Sequence, residues 1–140
     1  MEAVLDISAA EVTLQQAGRR DLAELARLYV ELSPDYTIER AAEKVSQMLS
    51  GGHGAVIMRH GEVAIGSILW MDMGDHVFIR NYVIVGGYRR AGLGSGLFAR
   101  LKAELLPAKP IRLEASEDGA RTFWGKQGFA LWSTGMRNDL

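Results

Sequence analysis

Cysteine is absent from this sequence of 140 residues, which excludes disulfide bridges, thiolate metal sites and a cysteine nucleophile. Charge of one sign is lacking too. Sixteen basic residues stand against seventeen acidic ones, and a net charge of −1 creates no global field for nucleic acid or an anionic membrane. No apolar run reaches the ~18 residues that a membrane-spanning helix needs. The N-terminus has no basic region typical of a signal peptide, so we expect a cytoplasmic protein.

The residues that are present are typical of one globular domain. Hydrophobic residues make up 48% of the chain and charged residues 24%, a balance typical of folded rather than disordered proteins. No repeat and no linker rich in proline, glycine or serine divides the sequence. We therefore predict an N-terminal extension over residues 1–11 and a single domain over residues 12–140.

The spacing of apolar residues predicts strands and helices in the order β-α-α-β-β-β-α-β-α-β. This order is typical of an α/β domain whose mixed sheet has helices on both faces. Asp21 and Glu24 have the spacing of a capping box at the start of the first helix, and Thr37 is positioned to cap the second. Ser116 is positioned to cap the last helix, which Gly128 would end.

The segment HVFIRNYVIV, residues 76–85, predicts the fourth strand. Strict alternation would direct two sets of side chains to opposite faces, with Val77, Ile79, Asn81, Val83 and Val85 on one face and Phe78, Arg80, Tyr82 and Ile84 on the other. Both sets are largely apolar, which is expected of a strand that is covered on both sides.

Glycine is concentrated just after this strand, where Gly92, Gly94 and Gly96 occupy the first turns of a predicted helix. Each of them costs the helix roughly 1 kcal/mol relative to alanine. A helix N-terminus presents N–H groups without partners and a partial positive charge, and glycine lets an anion approach those groups closely. Together with Arg89 and Arg90, these glycines predict a cradle for a phosphate group.

The glycines have an alternative role, because they can serve a tight turn and close packing alone. A nucleotide is a further candidate for the source of the phosphate. Two phosphate-binding motifs do not fit. The sequence has no Gly-Lys-Ser/Thr of a Walker A loop, and the dinucleotide fingerprint would need glycine where Leu97 stands.

The pattern R-x-x-G-x-G over residues 89–94 resembles the acetyl-CoA loop of the GNAT superfamily of N-acetyltransferases, where it follows the fourth strand. The segment ARTFWGKQGFALW is similar to the closing helix and strand of that family, with Ala120, Gly128 and Phe129 in register. The predicted element order also matches. The resemblance therefore covers essentially residues 12–140.

The resemblance implies a GNAT fold, an α/β domain with a central mixed, mostly antiparallel sheet of six to seven strands, helices on both faces and a splay between strands four and five. It also implies acetyl-CoA as cosubstrate, with loop amides on the pyrophosphate and strand-four backbone groups on the pantetheine arm, and no metal. The residues that we assign to acetyl-CoA on this basis are Val83, Ile84, Val85, Arg89, Arg90, Ala91, Gly92, Leu93, Gly94, Ser95, Gly96 and Phe123.

Two features depart from the family's catalytic pattern. The tyrosine that protonates the leaving thiolate in many relatives is replaced by Trp124, whose indole N–H donates a hydrogen bond but is no practical acid. No carboxylate stands between His76 and Ala103, where some relatives place a glutamate base. The candidate bases are then Asp72, Asp75, Glu114, Glu117 or a water molecule. Alternatively, the two aspartates are turn residues and Glu114 is an exposed strand residue.

The connection between the first two helices carries Glu31, Asp35 and Tyr36. In the GNAT family this connection overhangs the acceptor site. The resemblance therefore implies that these residues attract a cationic amine, and a solvated loop is the alternative.

The sequence predicts an acetyl-CoA-dependent N-acetyltransferase that transfers an acetyl group to a primary amine of a small molecule or peptide. Direct attack in a ternary complex is favoured because neither cysteine nor a Ser-His pair offers a nucleophile. The missing tyrosine motivates an alternative, a CoA-binding sensor or regulatory module with little catalysis. His53, His60 and His76 are predicted as solvated turn residues, so we expect no metal. We also expect no nucleic-acid or membrane partner, and a homodimer is a further candidate.

Overall fold

The computed structural model describes residues 7–88, 92–115, 118–132 and 135–138. Its strands are β1 (Thr13–Gln16), β2 (Gly54–His60), β3 (Val63–Asp72), β4 (Val77–Ile84), β5 (Ile111–Glu114), β6 (Ala130–Trp132) and β7 (Gly135–Asn138). Its α-helices are α1 (Leu22–Leu32), α2 (Ile38–Ser50), α3 (Leu93–Glu104) and α4 (Asp118–Lys126). A short 3-10 helix, Ala9–Glu11, precedes β1.

The strands of the described residues form one sheet in the order β1-β2-β3-β4-β5-β7-β6. β4 and β5 are parallel, and every other neighbouring pair is antiparallel. This is the mixed, mostly antiparallel sheet that the family resemblance implied. Antiparallel neighbours follow one another through short turns, whereas the parallel pair needs a crossover, which α3 supplies.

The sheet is splayed between β4 and β5, which confirms the prediction. The two strands pair only where Val77, Phe78 and Ile79 meet the first three residues of β5. Beyond Ile79, β4 continues to Ile84 with no β5 pairing. From Arg80 to Val83, one side of β4 therefore has no neighbouring strand in the described part of the chain.

A β-bulge in β4 lies at the point where the splay begins. The register with β3 passes from Trp70↔Ile79 to Leu69↔Asn81, so Arg80 is an extra residue without a partner in the strand pairing. The extra residue shifts the alternation by one position. The strict alternation predicted for this strand is therefore wrong beyond Ile79.

The bulge distributes β4 between two hydrophobic cores. Val77, Ile79, Tyr82 and Ile84 face the core beneath α3 and α4, which we call the α3/α4 face. Val83 packs in the core beneath α1 and α2, which we call the α1/α2 face. By alternation from these positions, Phe78, Arg80 and Asn81 also lie on the α1/α2 face.

Each helix buries one apolar stripe against its face of the sheet. The fully or nearly fully buried helix residues include Leu25, Leu28, Ala41 and Val45 on the α1/α2 face and Leu93, Leu97, Phe98 and Leu101 on the α3/α4 face. Burying one leucine or phenylalanine side chain contributes roughly 1.5–3 kcal/mol. None of the helices in the described residues is long and apolar enough to cross a membrane.

Two predicted helix ends are confirmed. The Thr37 hydroxyl accepts a hydrogen bond from the Arg40 N–H at 3.2 Å and so caps α2. At the end of α4, Gly128 has a φ of +90°, and the Phe129 N–H donates to the Trp124 carbonyl at 3.1 Å. Ser116, the predicted cap of α4, lies outside the described residues.

The capping box predicted at the start of α1 is wrong. The Asp21 carboxylate accepts a hydrogen bond from the Gly18 N–H at 2.9 Å and makes no cap within α1. Glu24 instead accepts two hydrogen bonds from the Arg59 guanidinium of β2, at 3.0 and 2.5 Å. A guanidinium offers a carboxylate two charge-assisted bonds, which are stronger than one neutral backbone bond.

Candidate functional site

A cleft of about 450 Å³ lies beside the open half of β4. Its walls are the end of β4, the first turn of α3 and the exposed side of α4, with the last residue of α1 at its edge. The lining residues are Leu32, Tyr82, Val83, Ile84, Gly94, Gly119, Ala120, Phe123 and Trp124. Most of them are apolar, so the cleft suits an elongated ligand with a largely apolar arm.

The first turn of α3 places a set of backbone N–H groups at one end of this cleft. Gly92 is the N-cap residue and has a φ of +71°, a left-handed conformation that strains any residue with a side chain. The first hydrogen bond of the helix runs from the Gly96 N–H to the Gly92 carbonyl at 3.1 Å. The N–H groups before Gly96 have no acceptor within the helix, which is the property of an anion site.

Gly94 and Gly96 are glycines for different structural reasons. A Cβ on Gly94 would lie 3.3 Å from Cε1 of Phe123, at the wall of the cleft. A Cβ on Gly96 would lie 2.9 Å from Cβ of Ala9, so this glycine lets the N-terminal 3-10 helix pack on α3. Close packing, the alternative left open by the sequence, therefore explains Gly96.

The remaining residues assigned to the loop differ in their locations and contacts. Arg89, Arg90 and Ala91 lie outside the described residues. Leu93 is buried in the α3/α4 core and contributes only backbone to the turn. The Ser95 hydroxyl accepts a hydrogen bond at 2.8 Å from the Gln127 amide of the segment that follows α4, and so joins that segment to α3.

The strand residues assigned to acetyl-CoA differ in position and in whether their backbone N–H groups are already hydrogen-bonded. Val83 and Ile84 line the cleft. The Val85 N–H donates to the Ile65 carbonyl of β3 at 2.8 Å, so that donor is used inside the sheet. Phe123 lines the cleft from α4, opposite these strand residues. The structure thus brings Val83, Ile84 and Phe123 together with Gly94.

Tyr82 is a residue of the cleft that the sequence patterns did not assign. Its hydroxyl donates a hydrogen bond to the Gly94 carbonyl at 2.7 Å and so ties β4 to the first turn of α3. Burial raises the pKa of this hydroxyl above its ordinary value, so it stays protonated as a donor. The signal in the sequence was an aromatic residue two positions before Ile84, but the bulge hid the face to which it points.

Trp124 is a core residue as well as a wall of the cleft. It is 7% exposed, and its ring centroid lies 4.9 to 5.6 Å from those of Tyr82, Phe98, Phe123 and Phe129. These are edge-to-face and tilted arrangements, which aromatic pairs prefer. The position of the family's tyrosine is therefore occupied by a residue that packs well and carries no acidic hydroxyl.

The structure separates the candidate bases. Asp72 pairs in register with Val77 at the far end of β4, about 20 Å along the strand from Ile84. Its carboxylate accepts hydrogen bonds from Lys109 at 2.7 and 2.9 Å, and the lysine lowers the pKa of that carboxyl. Asp75 is bonded to the ring of His76 at 2.6 Å. The structure does not bring these aspartates to the cleft.

Glu114 is the candidate base that lies beside the splay. It follows Leu113, the last residue of β5 that pairs with β4, and its side chain is exposed. In the described part of the chain it has no salt-bridge partner. Glu117 lies outside the described residues.

The connection between α1 and α2 reaches the edge of the cleft through Leu32. Glu31 and Asp35 are exposed and do not line the cleft. The Tyr36 ring lies 5.3 Å from the Tyr29 ring and 5.4 Å from the Arg40 guanidinium. This arrangement resembles the solvated-loop alternative more closely than a converging acidic site.

Two of the three histidines are not solvated as predicted. His53 Nδ1 lies 2.9 Å from the Met48 carbonyl at the end of α2, and burial lowers the pKa of the imidazole. The side chain of His76 is 14% exposed, and its Nδ1 lies 2.6 Å from the Asp75 carboxylate. Within the residues that the structure describes, no group of three or more His, Asp or Glu residues could hold a metal ion.

Comparison with known proteins gives a family and a fold. A family model described as "Acetyltransferase (GNAT) family" matches residues 20–129. An acetyltransferase from Thermus thermophilus superimposes with a TM-score of 0.78 at 16% sequence identity, over 96% of this chain and 100% of that one. The PaiA N-acetyltransferase from Thermoplasma acidophilum, solved in complex with coenzyme A, gives 0.70 at 15% identity, over 92% and 99% of the two chains.

A GNAT-family acetyltransferase from Bacillus cereus ATCC 10987 has a TM-score of 0.67 at 15% identity, over 91% of this chain and 96% of that one. At such identities these structures show a common fold. No curated protein has a sequence that matches this chain.

Proposed function

Because this chain belongs to the GNAT acetyltransferase family, we propose that it is an acetyl-CoA-dependent N-acetyltransferase acting on a primary amine of a small molecule or peptide. The observation that carries the proposal is the cleft itself. An apolar channel beside the open half of β4 ends at a helix N-terminus whose N-cap glycine has a positive φ. This combination fits a ligand with an apolar arm and a phosphate group.

The residues fit acetyl-CoA, which supplies the acetyl group as a reactive thioester. The N–H groups of the first turn of α3 hold the pyrophosphate, and Gly94 keeps the approach free of side chains. Val83, Ile84 and Phe123 enclose the pantetheine arm. Backbone groups of β4 from Arg80 to Val83 are not paired with β5 and are therefore available on that side. Arg89 and Arg90 are proposed to add charge at the pyrophosphate.

Glu114 is the proposed general base. A lysine-like amine is neutral in only about one molecule in 10³ at pH 7, so removal of its proton limits attack. Glu114 is exposed and lies one residue beyond the last β4–β5 pair, where an acceptor can reach it directly or through water. The amine then attacks directly, without a covalent enzyme intermediate.

Trp124 has a structural role in this proposal. It excludes water from one wall of the cleft and offers no proton to the leaving group. A thiol has an ordinary pKa of about 8.5, so a thiolate leaves at neutral pH with little help from an acid. Loss of the tyrosine is therefore compatible with turnover.

The same tryptophan favours a second candidate, a CoA-binding sensor or regulatory module with little catalysis. A residue that packs against four rings serves the stability of the cleft, whether or not chemistry occurs there. Binding of acetyl-CoA without turnover of any amine would support this candidate.

The test combines calorimetric binding of acetyl-CoA with initial rates of CoA release against a panel of primary amines. When the concentrations of acetyl-CoA and amine are both varied, we expect the lines of the double-reciprocal plot of initial rates to intersect. Parallel lines would overturn direct attack. Glu114→Gln is expected to lower kcat about 100-fold, with Glu62→Gln as the matched control on an exposed turn. An unchanged kcat in Glu114→Gln would remove the base assignment alone.

The other sequence predictions are kept as proposals. They are a single domain over residues 12–140, a cytoplasmic location and a homodimer. Limited proteolysis tests the domain bounds, and light scattering of the purified chain tests the dimer.

A further inference from the structure

Asn81 is a polar residue in the interior of the α1/α2 face. It is 4% exposed, and its side-chain amide oxygen has no hydrogen-bond partner among the described residues. Asparagine is mostly found at protein surfaces, and a buried acceptor without a partner costs folding free energy. Such groups are few in folded proteins, so this oxygen has an explanation outside the packing of the core.

Asn81 lies where β4 separates from β5. It follows Arg80, the extra residue of the bulge, and belongs to the stretch from Arg80 to Val83 that has no pairing with β5 in the described part of the chain. Its partner on the other side is Leu69 of β3, whose side chain lies in the core beneath α1 and α2. Asn81 therefore has a strand on one side and the splay on the other.

This stretch of β4 adjoins both the cleft and the proposed base. Val83, which lines the cleft, is two residues further along β4 on the same face, about 7 Å from Asn81. Leu113, the last residue of β5 that pairs with β4, faces the α3/α4 core, so alternation places Glu114 on the α1/α2 face. An amine at Glu114 that is directed toward the cleft therefore meets Asn81.

Ser67 offers a comparison within the same face. Its hydroxyl is also buried without a hydrogen-bond partner among the residues that the structure describes. Ser67 is in register with Ile57 of β2 on one side and with Val83 of β4 on the other. It therefore lies inside the sheet, whereas Asn81 borders the splay.

The chemistry of an amide oxygen defines what Asn81 can bind. The oxygen accepts hydrogen bonds and donates none, so its partner is an N–H or O–H donor. A primary amine brings two such donors when it attacks. Its nitrogen bonds to the acetyl carbon, the C–S bond breaks with its electron pair on sulfur, and one N–H proton passes to Glu114. The second N–H stays on the nitrogen of the amide product.

We propose that the amide oxygen of Asn81 accepts a hydrogen bond from this second N–H and so makes the site selective for primary over secondary amines. The inference rests on the proposed acetyltransferase function and deepens it. A neutral primary amine has one N–H for Glu114 and one for Asn81, whereas its N-methyl counterpart has a single N–H. The last torsion of an asparagine side chain is broad, so a rotation about it brings the buried oxygen toward a donor in the splay.

The test compares primary amines with their N-methyl counterparts. Suitable pairs are phenethylamine with N-methylphenethylamine and glycinamide with sarcosinamide, which represent a small molecule and a peptide N-terminus. We expect the primary member to have a kcat/KM about 10- to 100-fold above that of its N-methyl partner. Equal use of both members of each pair would overturn the inference while leaving an acetyltransferase.

Variants of Asn81 separate the hydrogen bond from steric exclusion of the methyl group. Asn81→Leu keeps the branched shape of the side chain and removes the oxygen. It should lower kcat/KM for the primary amine about 10- to 100-fold and reduce the preference for that amine to about threefold or less. The midpoint of urea unfolding should not fall, because the oxygen has no partner to lose in the described part of the chain. A preference that persists unchanged in Asn81→Leu would overturn the inference.

Two further variants sharpen this result. Asn81→Asp keeps an acceptor oxygen in either protonation state and should recover part of the preference. Ser67→Ala is the matched control, since it removes the other unpartnered polar atom of this face at a position that does not border the splay. It should leave both kcat/KM and the preference within about twofold.

Calorimetry of the primary amines in the presence of CoA gives a readout that does not depend on turnover. Asn81→Leu should weaken binding about 10-fold, and Ser67→Ala by less than about twofold. This result would support the inference even if no amine were acetylated, an outcome that would defeat only the proposed function. Equal binding of the amines by Asn81→Leu and the unaltered protein would overturn the inference.

Discussion

The two faces of the sheet differ in the side chains that cover them. The α3/α4 face contains a continuous aromatic group, Tyr82, Phe98, Phe123, Trp124 and Phe129, with neighbouring ring centroids 4.9 to 6.0 Å apart. The α1/α2 face holds two buried polar atoms that have no hydrogen-bond partner among the described residues, the Ser67 hydroxyl and the side-chain amide oxygen of Asn81. The α3/α4 face is closely packed with aromatic rings, whereas the α1/α2 face contains buried polar atoms without hydrogen-bond partners in the described part of the chain.

This difference makes the two faces unequal in rigidity. Closely packed rings hold a fixed shape, because few alternative rotamers fit a dense interior. Buried polar groups without partners cost about 1–3 kcal/mol each, so they weaken the face that carries them. Most of the residues that line the cleft of the proposed acetyl-CoA site belong to the closely packed face.

The largest effect expected from this comparison concerns Trp124. Trp124→Ala should lower the free energy of unfolding by about 3–5 kcal/mol, because it empties the centre of the aromatic group. On the other face, Ser67→Ala should not lower it and should raise it by up to about 1–3 kcal/mol, since the buried hydroxyl has no hydrogen-bond partner in the described part of the chain. Urea denaturation measures both. Equal losses in the two variants would end the distinction between the faces.

The next effect concerns binding at the closed face. Gly94→Val should lower the affinity for acetyl-CoA by about 100-fold or more, because a side chain there meets Phe123 and fills the cleft. Gly125→Ala is the matched control, since no atom lies within 4 Å of the added Cβ and the residue is in α4. Calorimetry of both variants decides the matter. A Gly94→Val protein that still folds and binds acetyl-CoA normally contradicts the assigned cradle.

A smaller effect is expected at the hydrogen bond that joins β4 to α3. Tyr82→Phe keeps the ring packing and removes the donor to the Gly94 carbonyl. The free energy of unfolding should fall by about 1–1.5 kcal/mol, and the affinity for acetyl-CoA by about fivefold to tenfold. Loss of stability without loss of affinity would show that this bond does not position the first turn of α3.

The smallest effect tests an ion pair beneath α1. The Arg59 guanidinium donates hydrogen bonds to the Glu24 carboxylate and so holds the pKa of that carboxyl below its ordinary value of 4.5. The unfolded chain therefore binds more protons, so this stabilisation is present above about pH 4.5 and is lost as pH falls through the lowered pKa. Glu24→Gln should cost about 0.5–1 kcal/mol at neutral pH and flatten the acid limb of the stability curve.

Thermal unfolding between pH 3 and 7 measures that limb. Glu43→Gln, on the exposed side of α2, is the control and should leave the curve unchanged. A Glu24→Gln curve with the same acid limb as the unaltered protein would mean that other carboxylates dominate acid unfolding.

Much of the fold could be predicted because its signals are local. The element order follows from the period of the apolar residues, and the ends of α2 and α4 follow from Thr37 and Gly128. The β4–β5 splay came from the family resemblance at residues 89–94 and was confirmed. The strands that it separates lie far apart in the sequence, so local spacing alone would not have revealed it.

The parts that failed depend on long-range partners. Glu24 reaches Arg59, a residue of β2, and so does not complete a capping box. No glycine or other residue typical of a bulge marks the bulge at Arg80 in the sequence. The bulge places Tyr82 on the same face as Ile79. Candidate bases spaced closely in sequence, Asp72 among them, fall at the opposite end of a strand from the cleft.

The short parallel ladder between β4 and β5 has a mechanical consequence. In the described part of the chain, three residue pairs join the four-stranded part of the sheet to the three-stranded part. A break at this seam leaves two blocks connected by α3 and its core, so amide hydrogens of β5 and β7 should exchange with solvent sooner than those of β2 and β3. A ligand bound between the separated parts of β4 and β5 would hold the two parts of the sheet together. Its release should speed amide exchange in β5 and β7 more than in β2 and β3.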